Sequence, residues 1–333
     1  MRLGEKYKDS IGFVFKNKCH PVTQAYADAI GAVPYRITGV LDALWKGLTL
    51  PVFQYYFVES VMSMIVPITK RLLGNNVTII FRGNDGLFGE KTTAYLDTKN
   101  VFKKQFLLFL IKHMNGINVE SDAQKEEVRQ WTDAVVEVSE SFVENKKTLE
   151  KIKPNLNTKT FLFIGEYRPP YDHKNIELLI KIFKKLPEYK LIIIGKNTKQ
   201  LQGKAKKNAN IEILDFISNK DDFYKKATYY IHLPKYEAGP ITLLEAIIAG
   251  LIPITNKNAG HHTLIEKVKK DLVLNPNLSE EETRKCIQAI EKLPLKIKQK
   301  ISETFKRQTI TLYGKRKMIE NFQNAWKKII STE

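Results

Sequence analysis

The chain has 333 residues, with 54 lysines and arginines against 36 aspartates and glutamates, a formal net charge of +18, and 43% hydrophobic residues. That apolar share excludes a disordered tail or a basic linker, and the length suggests about two domains of roughly 150 residues each. Only two cysteines, Cys19 and Cys286, are present, too few for a disulfide framework or a zinc site and in keeping with a reducing, cytoplasmic compartment.

The first apolar run, residues 11–15, is too short for a signal-peptide core. The longest apolar region, 48–68, is broken by Pro51, Gln54, Glu59 and Pro67, whereas a spanning helix needs about 20 nearly uninterrupted apolar residues. Neither secretion nor a transmembrane segment is expected. Short β-branched runs then alternate with longer helical patterns, the signature of parallel sheets built from βαβ units. In the first half strands are expected at 11–15, 77–81, 117–119 and 134–138, with a further one near 52–57. Helices are expected near 22–30, 61–73, 101–113 and 122–131. The stretch 144–160 is polar and Lys-rich and carries Pro154, as a linker does, which sets a domain boundary near residue 150.

The second half gives strands at 161–164, 191–194, 211–214, 229–233, 252–255 and 272–274, each a continuous apolar run of the kind covered on both faces. Helices fall near 176–186, 221–227, 241–249 and 263–268. From Ser279 three helical patterns follow without strands, and the last, 317–330, is placed to cross back onto the first domain. The charge is uneven, net +2 over residues 1–150 and +16 over 151–333. Such an excess suits nucleic acid, an anionic membrane or a phosphorylated substrate. The chain lacks the interleaved aromatic and basic residues of nucleic-acid modules, so no nucleic-acid partner is expected.

Open parallel sheets bind ligands beyond the carboxyl ends of their strands. After the strand at 161–164 the chain reads Gly165, Glu166, Tyr167, Arg168, then Lys174 and Asn175 before a helix. The glycine lets the backbone approach a ligand, and two cations outside a sheet edge suit a diphosphate. After the strand at 229–233 come Glu237, Ala238, Gly239, Pro240, Ile241, Thr242 and, on the helix, Glu245. Gly-Pro reads as a turn into a first helical position at Pro240, and a helix start there aims its amides at an anion. Glu245 lies among Leu243, Leu244, Ala246, Ile247 and Ile248, a poor setting for a solvated charge. A carboxylate can accept from two neighbouring hydroxyls, as acidic residues do on a ribose.

With these residues the chain resembles the retaining glycosyltransferases of the GT-B fold, particularly family four. The resemblance rests on Glu237 to Glu245, the family's E-x7-E motif, within YEAGPITLLEAIIAGLIPIT, supported by GEYRPPYDHKNIELLIKIFKKLP, LIIIGKN and NAGHHTLIE. It covers about residues 160–275; the first half matches only in architecture and in HPVTQAYADAIGA and TIIFRGNDG. The resemblance implies an α/β fold of two Rossmann-like, doubly wound parallel-sheet domains facing a central cleft. Residues 1–150 would bind the acceptor, 151–314 the nucleotide-sugar donor, and 315–333 would form the returning helix.

It further implies that Lys174 and a nearby arginine, Arg168, neutralise the donor diphosphate beside Gly165. The amides at Gly239, Pro240, Ile241 and Thr242 would help them. Glu237 would contact the transferred sugar, Glu245 the ribose, and Asp215 and Phe216 would lie near the base. Transfer would retain the anomeric configuration, with the departing phosphate deprotonating the incoming hydroxyl and with neither a metal nor a bound cofactor. The acceptor would be a glycan, a lipid-linked or a small molecule, with peripheral association at the inner face of the membrane left open.

Three features depart from the family. Glu166 stands where an arginine often follows the glycine, no Gly-rich turn follows the first strand, and Arg82, Gly83, Asn84, Asp85, Gly86 replace a loop that often carries a histidine. Asn84 or Asp85 could contact acceptor or sugar, or form a plain Asx turn. His261 and His262 suit a helix start better than a metal, and His232 has no partner at metal spacing. The rival readings are a sugar-nucleotide epimerase or phosphorylase on the same fold, and a non-catalytic basic protein that holds nucleic acid or membrane.

Overall fold

A computed structural model describes residues 5, 7, 9–83, 101–206 and 208–331, which divide into two compact units. The first gathers Met1–Phe142 and Lys315–Glu333, the second Val143–Gly314. No helix among the described residues is long and apolar enough to cross a membrane.

The first unit holds a six-stranded parallel sheet of β1 (Ile11–Lys16), β2 (Val33–Ile37), β3 (Tyr55–Val58), β4 (Thr78–Arg82), β5 (Gly116–Val119) and β6 (Val135–Val138), in the order β2-β1-β3-β4-β5-β6. Helices Pro21–Ala29, Val40–Thr49, Ile65–Leu72, Val101–Lys112 and Asp122–Val128 connect the strands. Strand β2 and the helix Val40–Thr49 are absent from the sequence-based expectation, for physical reasons. β2 is a half-exposed edge strand interrupted by Pro34, which a continuous-run criterion passes over. The helix points Leu41, Trp45 and Leu48 into solvent, at 83, 65 and 56% exposure, so its apolar stripe faces outward while the side packed inward carries the small Ala43 and Gly47. The helix expected at 61–73 begins instead as a 3-10 turn, Met62–Met64, and Pro67 falls in the first turn of the α-helix that follows, where a missing N–H costs little.

The last helix, Lys315–Ile330, belongs to this unit. Its Phe322 stacks on Tyr26 at 4.4 Å, and its buried Trp326 meets the Phe57 ring edge-on at 5.8 Å. Gly116 is required beneath it, because a Cβ there would collide with Ile329.

The second unit holds β7 (Thr160–Ile164), β8 (Lys190–Ile194), β9 (Ile211–Leu214), β10 (Tyr229–His232), β11 (Ile252–Asn256) and β12 (Val273–Leu274), all parallel, in the order β12-β11-β10-β7-β8-β9. The middle strands are apolar on both faces: Phe161–Phe163, Leu191–Ile194, Tyr229–Ile231, Ile252 and Ile254 are essentially fully buried. The chain runs outward from β7 to β9, then returns to β10 on the other side of β7. Strand order therefore reverses between β7 and β10, whose register pairs Tyr229 with Phe161 and Tyr230 with Leu162. In open sheets that reversal leaves a crevice at the carboxyl ends of the two strands.

Candidate active site

Three loops meet at that crevice. The first follows β7. Gly165 donates its amide to Ile194 at 2.9 Å, and a Cβ on it would press within 2.8 Å of the Lys174 Cδ. Glycine is what lets the lysine lie across the strand end. The loop is fastened at its far side by Asp172, whose carboxylate accepts from the amides of Ile176 and Glu177 at 3.0 and 2.8 Å and so caps the helix Ile176–Lys184. Tyr167 donates its hydroxyl to Glu177 at 2.7 Å. Lys174 is thereby carried on a loop anchored at both ends.

The second loop follows β10. The Lys235 amide donates to the His173 carbonyl at 2.8 Å, tying this loop to the first. Glu237 forms an isolated bridge with Ala259 of the third loop, after β11. Its amide donates to Asn258 at 3.1 Å, and its carbonyl accepts from Gly260 at 2.8 Å. The Asn256 side chain donates to Pro234 at 2.9 Å. Glu237 thus has a backbone fixed on both sides before its side chain makes any contact.

That side chain is nine-tenths buried and sits between two basic groups. One carboxylate oxygen is hydrogen-bonded to the Lys174 ammonium. The other lies 2.7 Å from Nε2 of the fully buried His232, close enough for a charge contact though outside hydrogen-bond alignment. Burial pushes the Glu237 carboxyl up, but Lys174 and then His232 outweigh it and hold the group well below the usual carboxylate range.

The helix Ile241–Ile248 starts where the pattern at 241–249 sets it, with Pro240 as its N-cap rather than its first residue. Thr242 accepts a hydrogen bond from the Tyr230 hydroxyl at 2.7 Å and donates to the Ile164 carbonyl at 3.2 Å, which pins the helix start to the end of β7. Gly239 precedes it, partly open to solvent. Glu245, one turn further on, stands apart from the Lys174 cluster. It accepts from Tyr224 at 3.3 Å, and burial raises its carboxyl, opposed by Lys220 and Tyr224. Beside Tyr224 an open pocket of about 370 Å³ is lined by Asn145, Thr148, Ser218, Asn219, Lys220 and Asp221.

The remaining expected residues are more scattered. Arg168 is exposed and paired locally with Glu166 at 2.7 Å. Asp215 and Phe216 follow β9 at the surface, Asp215 facing Lys199 at 3.7 Å. Asn84 and Asp85 lie outside the described residues. His261 occupies the N-cap of the helix His262–Val268 without a side-chain capping bond. Its ring is buried against Tyr313 at 5.2 Å, and burial lowers its pKa to about 4 despite the pull of Glu237. His232 is the site residue that sequence reasoning missed. Its signal is a lone histidine in the apolar strand YYIHLP, visible only by asking what could offset its burial. Among the described residues no three His, Cys, Asp or Glu side chains gather as a metal site would require.

Residues 144–308 match the family described as glycosyl transferases group 1. Among solved structures, the chain is similar to HepE of Anabaena in complex with UDP-glucose (TM-score 0.71, 13% identity, 95% of this chain and 99% of that one). It is also similar to an α,α-trehalose 6-phosphate synthase of Burkholderia multivorans (0.70, 11%, 98% and 99%) and to the sucrose-phosphate synthase of Thermosynechococcus elongatus (0.67, 12%, 84% and 75%). No curated protein sequence gives a significant match. The two doubly wound sheets and these neighbours define the GT-B fold, and the second unit of the chain is a glycosyl transferases group 1 domain.

Proposed function

We propose that the protein is a retaining glycosyltransferase that moves a sugar from a nucleoside-diphosphate sugar to an acceptor hydroxyl. Residues 151–314 would hold the donor and residues 1–150 the acceptor. The observation that carries this reading is the convergence of Lys174, Glu237 and the start of the helix Ile241–Ile248 where strand order reverses between β7 and β10. A cation and a helix N-terminus together neutralise a diphosphate. The carboxylate beside them faces the position where positive charge develops on the sugar as the bond to phosphate breaks. The departing phosphate then takes the proton of the incoming hydroxyl on the same face, which gives retention without a covalent carboxylate intermediate. In this reading no metal takes part. Arg168 would have to exchange Glu166 for phosphate to serve as a second cation.

Thermal-shift measurements with UDP, GDP, ADP and their sugars test the class, because a ligand at 100 times its Kd stabilises by about 2.7 kcal/mol. Stabilisation by none of them would overturn the reading. The HepE complex makes UDP-glucose the first donor to try. NMR of the product then shows whether the anomeric configuration is kept, and turnover without acceptor would point to an epimerase.

We assign Glu245 to the ribose, a reading supported by its hydrogen bond to Tyr224, which lines the 370 Å³ pocket. A ribose contact is made equally in ground and transition states, so Glu245→Ala should raise the donor KM about tenfold and leave kcat within about threefold. A fall in kcat at unchanged KM would reverse the roles of the two glutamates.

A further inference from the structure

His232 ends β10 with no exposed surface, its ring parallel to that of Phe163 on β7 at 5.8 Å and 26°. Its carbonyl accepts from Thr255 on β11 at 2.8 Å, so strand pairing and packing fix the backbone and the ring plane together. Nδ1 has no hydrogen-bond partner, and Nε2 faces the Glu237 carboxylate at 2.7 Å. The other carboxylate oxygen is taken by Lys174. Glu237 therefore has a permanent counter-ion, Lys174, on one oxygen and the His232 ring against the other.

The donor-site reading above, on which this inference rests, gives Lys174 a second anion to hold. A diphosphate carries more charge than the carboxylate and draws the ammonium toward itself. Glu237 stays behind, its backbone held between Asn258 and Gly260. A buried carboxylate stripped of its cation is strongly disfavoured, and histidine is the ordinary side chain that can gain a charge near neutral pH. We propose that His232 is a positioning residue that takes up a proton as the nucleoside diphosphate draws Lys174 away, keeping Glu237 ionised and oriented toward the sugar.

Other charged or titratable groups surround this pair. The loop after β7 contributes Arg168 and His173, β10 itself Tyr230, the loop after β10 Lys235, and the loop after β11 His261 and His262. His173 is lowered by burial first and by Lys174 next, and His261 by burial, so each is a competing seat for the proton. The terminal phosphate, with a second pKa of about 6, is already ionised at pH 7.5 and takes up nothing there.

Isothermal titration of the full chain with UDP at pH 7.5, in buffers of different ionisation enthalpy, counts the protons. GDP, and then ADP, replaces UDP should UDP give no heat. The expected result is uptake of a substantial fraction of one proton, with affinity falling up to tenfold per pH unit above neutrality. His232→Gln should abolish the uptake, weaken UDP about tenfold and flatten the pH dependence. Glu237→Gln, which removes the charge that calls for the proton, should abolish the uptake too. His173→Gln and His261→Gln should retain it. Binding without buffer-dependent heat, or uptake that survives His232→Gln, overturns the inference while leaving the donor site standing. Absence of binding by UDP, GDP and ADP overturns the donor site, and the inference falls with it.

Discussion

Lys174→Ala is expected to lower kcat/KM for the donor by about 10²-fold and to destabilise the folded chain at neutral pH. Both effects have one cause. The lysine is the permanent counter-ion of Glu237, and breaking a buried pair from one side costs about 3–5 kcal/mol because the remaining charge is uncompensated. The side chains retain 15 and 9% exposure and His232 still faces the carboxylate, so the lower end, about 3 kcal/mol, is the better figure. At 1.36 kcal/mol per tenfold in rate, an equal loss of diphosphate stabilisation gives the predicted fall in kcat/KM.

The acid side of the stability profile separates this from a simple packing defect. Glu237 is depressed in the folded state, so its contribution is present above the unfolded value of about 4.3 and is lost as pH falls toward the folded value. Without Lys174, burial is opposed by His232 alone and the folded value rises. The variant should therefore lose less stability than the native chain as pH falls below about 4. Melting curves from pH 3 to 7 measure this, and parallel profiles would show that Lys174 does not hold Glu237 in solution.

Most of the fold was legible because buried parallel strands read as plain apolar runs. Phe161–Phe163 and Leu191–Ile194 could be little else. What escaped was made of exceptions to that rule, a Pro-bearing edge strand and a helix whose solvent face carries Leu41, Trp45 and Leu48. The end of β1 is a similar case. After β1 the chain takes a left-handed conformation at Asn17, φ 57, which asparagine tolerates, so it turns there without a glycine to mark the place. In the site, Lys174 and Glu237 could be named from the loops that bear them, but their contact spans 63 residues of sequence and only the strand reversal brings it about. His232 was passed over because spacing was searched for metal partners, whereas its neighbour is a carboxylate five residues on. Glu245 was expected to reach a different part of the ligand from Glu237, and its hydrogen bond to Tyr224 at 3.3 Å, a contact across 21 residues, was not legible from the sequence.

Glu237→Gln is expected to lower kcat by about 10²- to 10³-fold with little change in donor KM. The substitution keeps the size of the side chain and removes its charge. If the carboxylate acts on positive charge that develops on the sugar only in the transition state, its loss is felt in kcat and hardly in ground-state binding. Removing one preorganised electrostatic partner costs on the order of 2.7–4 kcal/mol in such sites, which sets the range. Stability should fall by less than in Lys174→Ala, since Lys174 keeps a polar neighbour and its flexible stem lets the ammonium turn toward water. Glu237→Ala should match the glutamine variant in kcat and add a loss of stability, because it also leaves a void beside His232 and Phe163. Steady-state kinetics and melting curves on the two variants resolve the question together. A glutamine variant within about threefold of native kcat would reduce Glu237 to a structural partner of Lys174. A large fall in kcat in a chain that melts normally would place its charge in the chemical step.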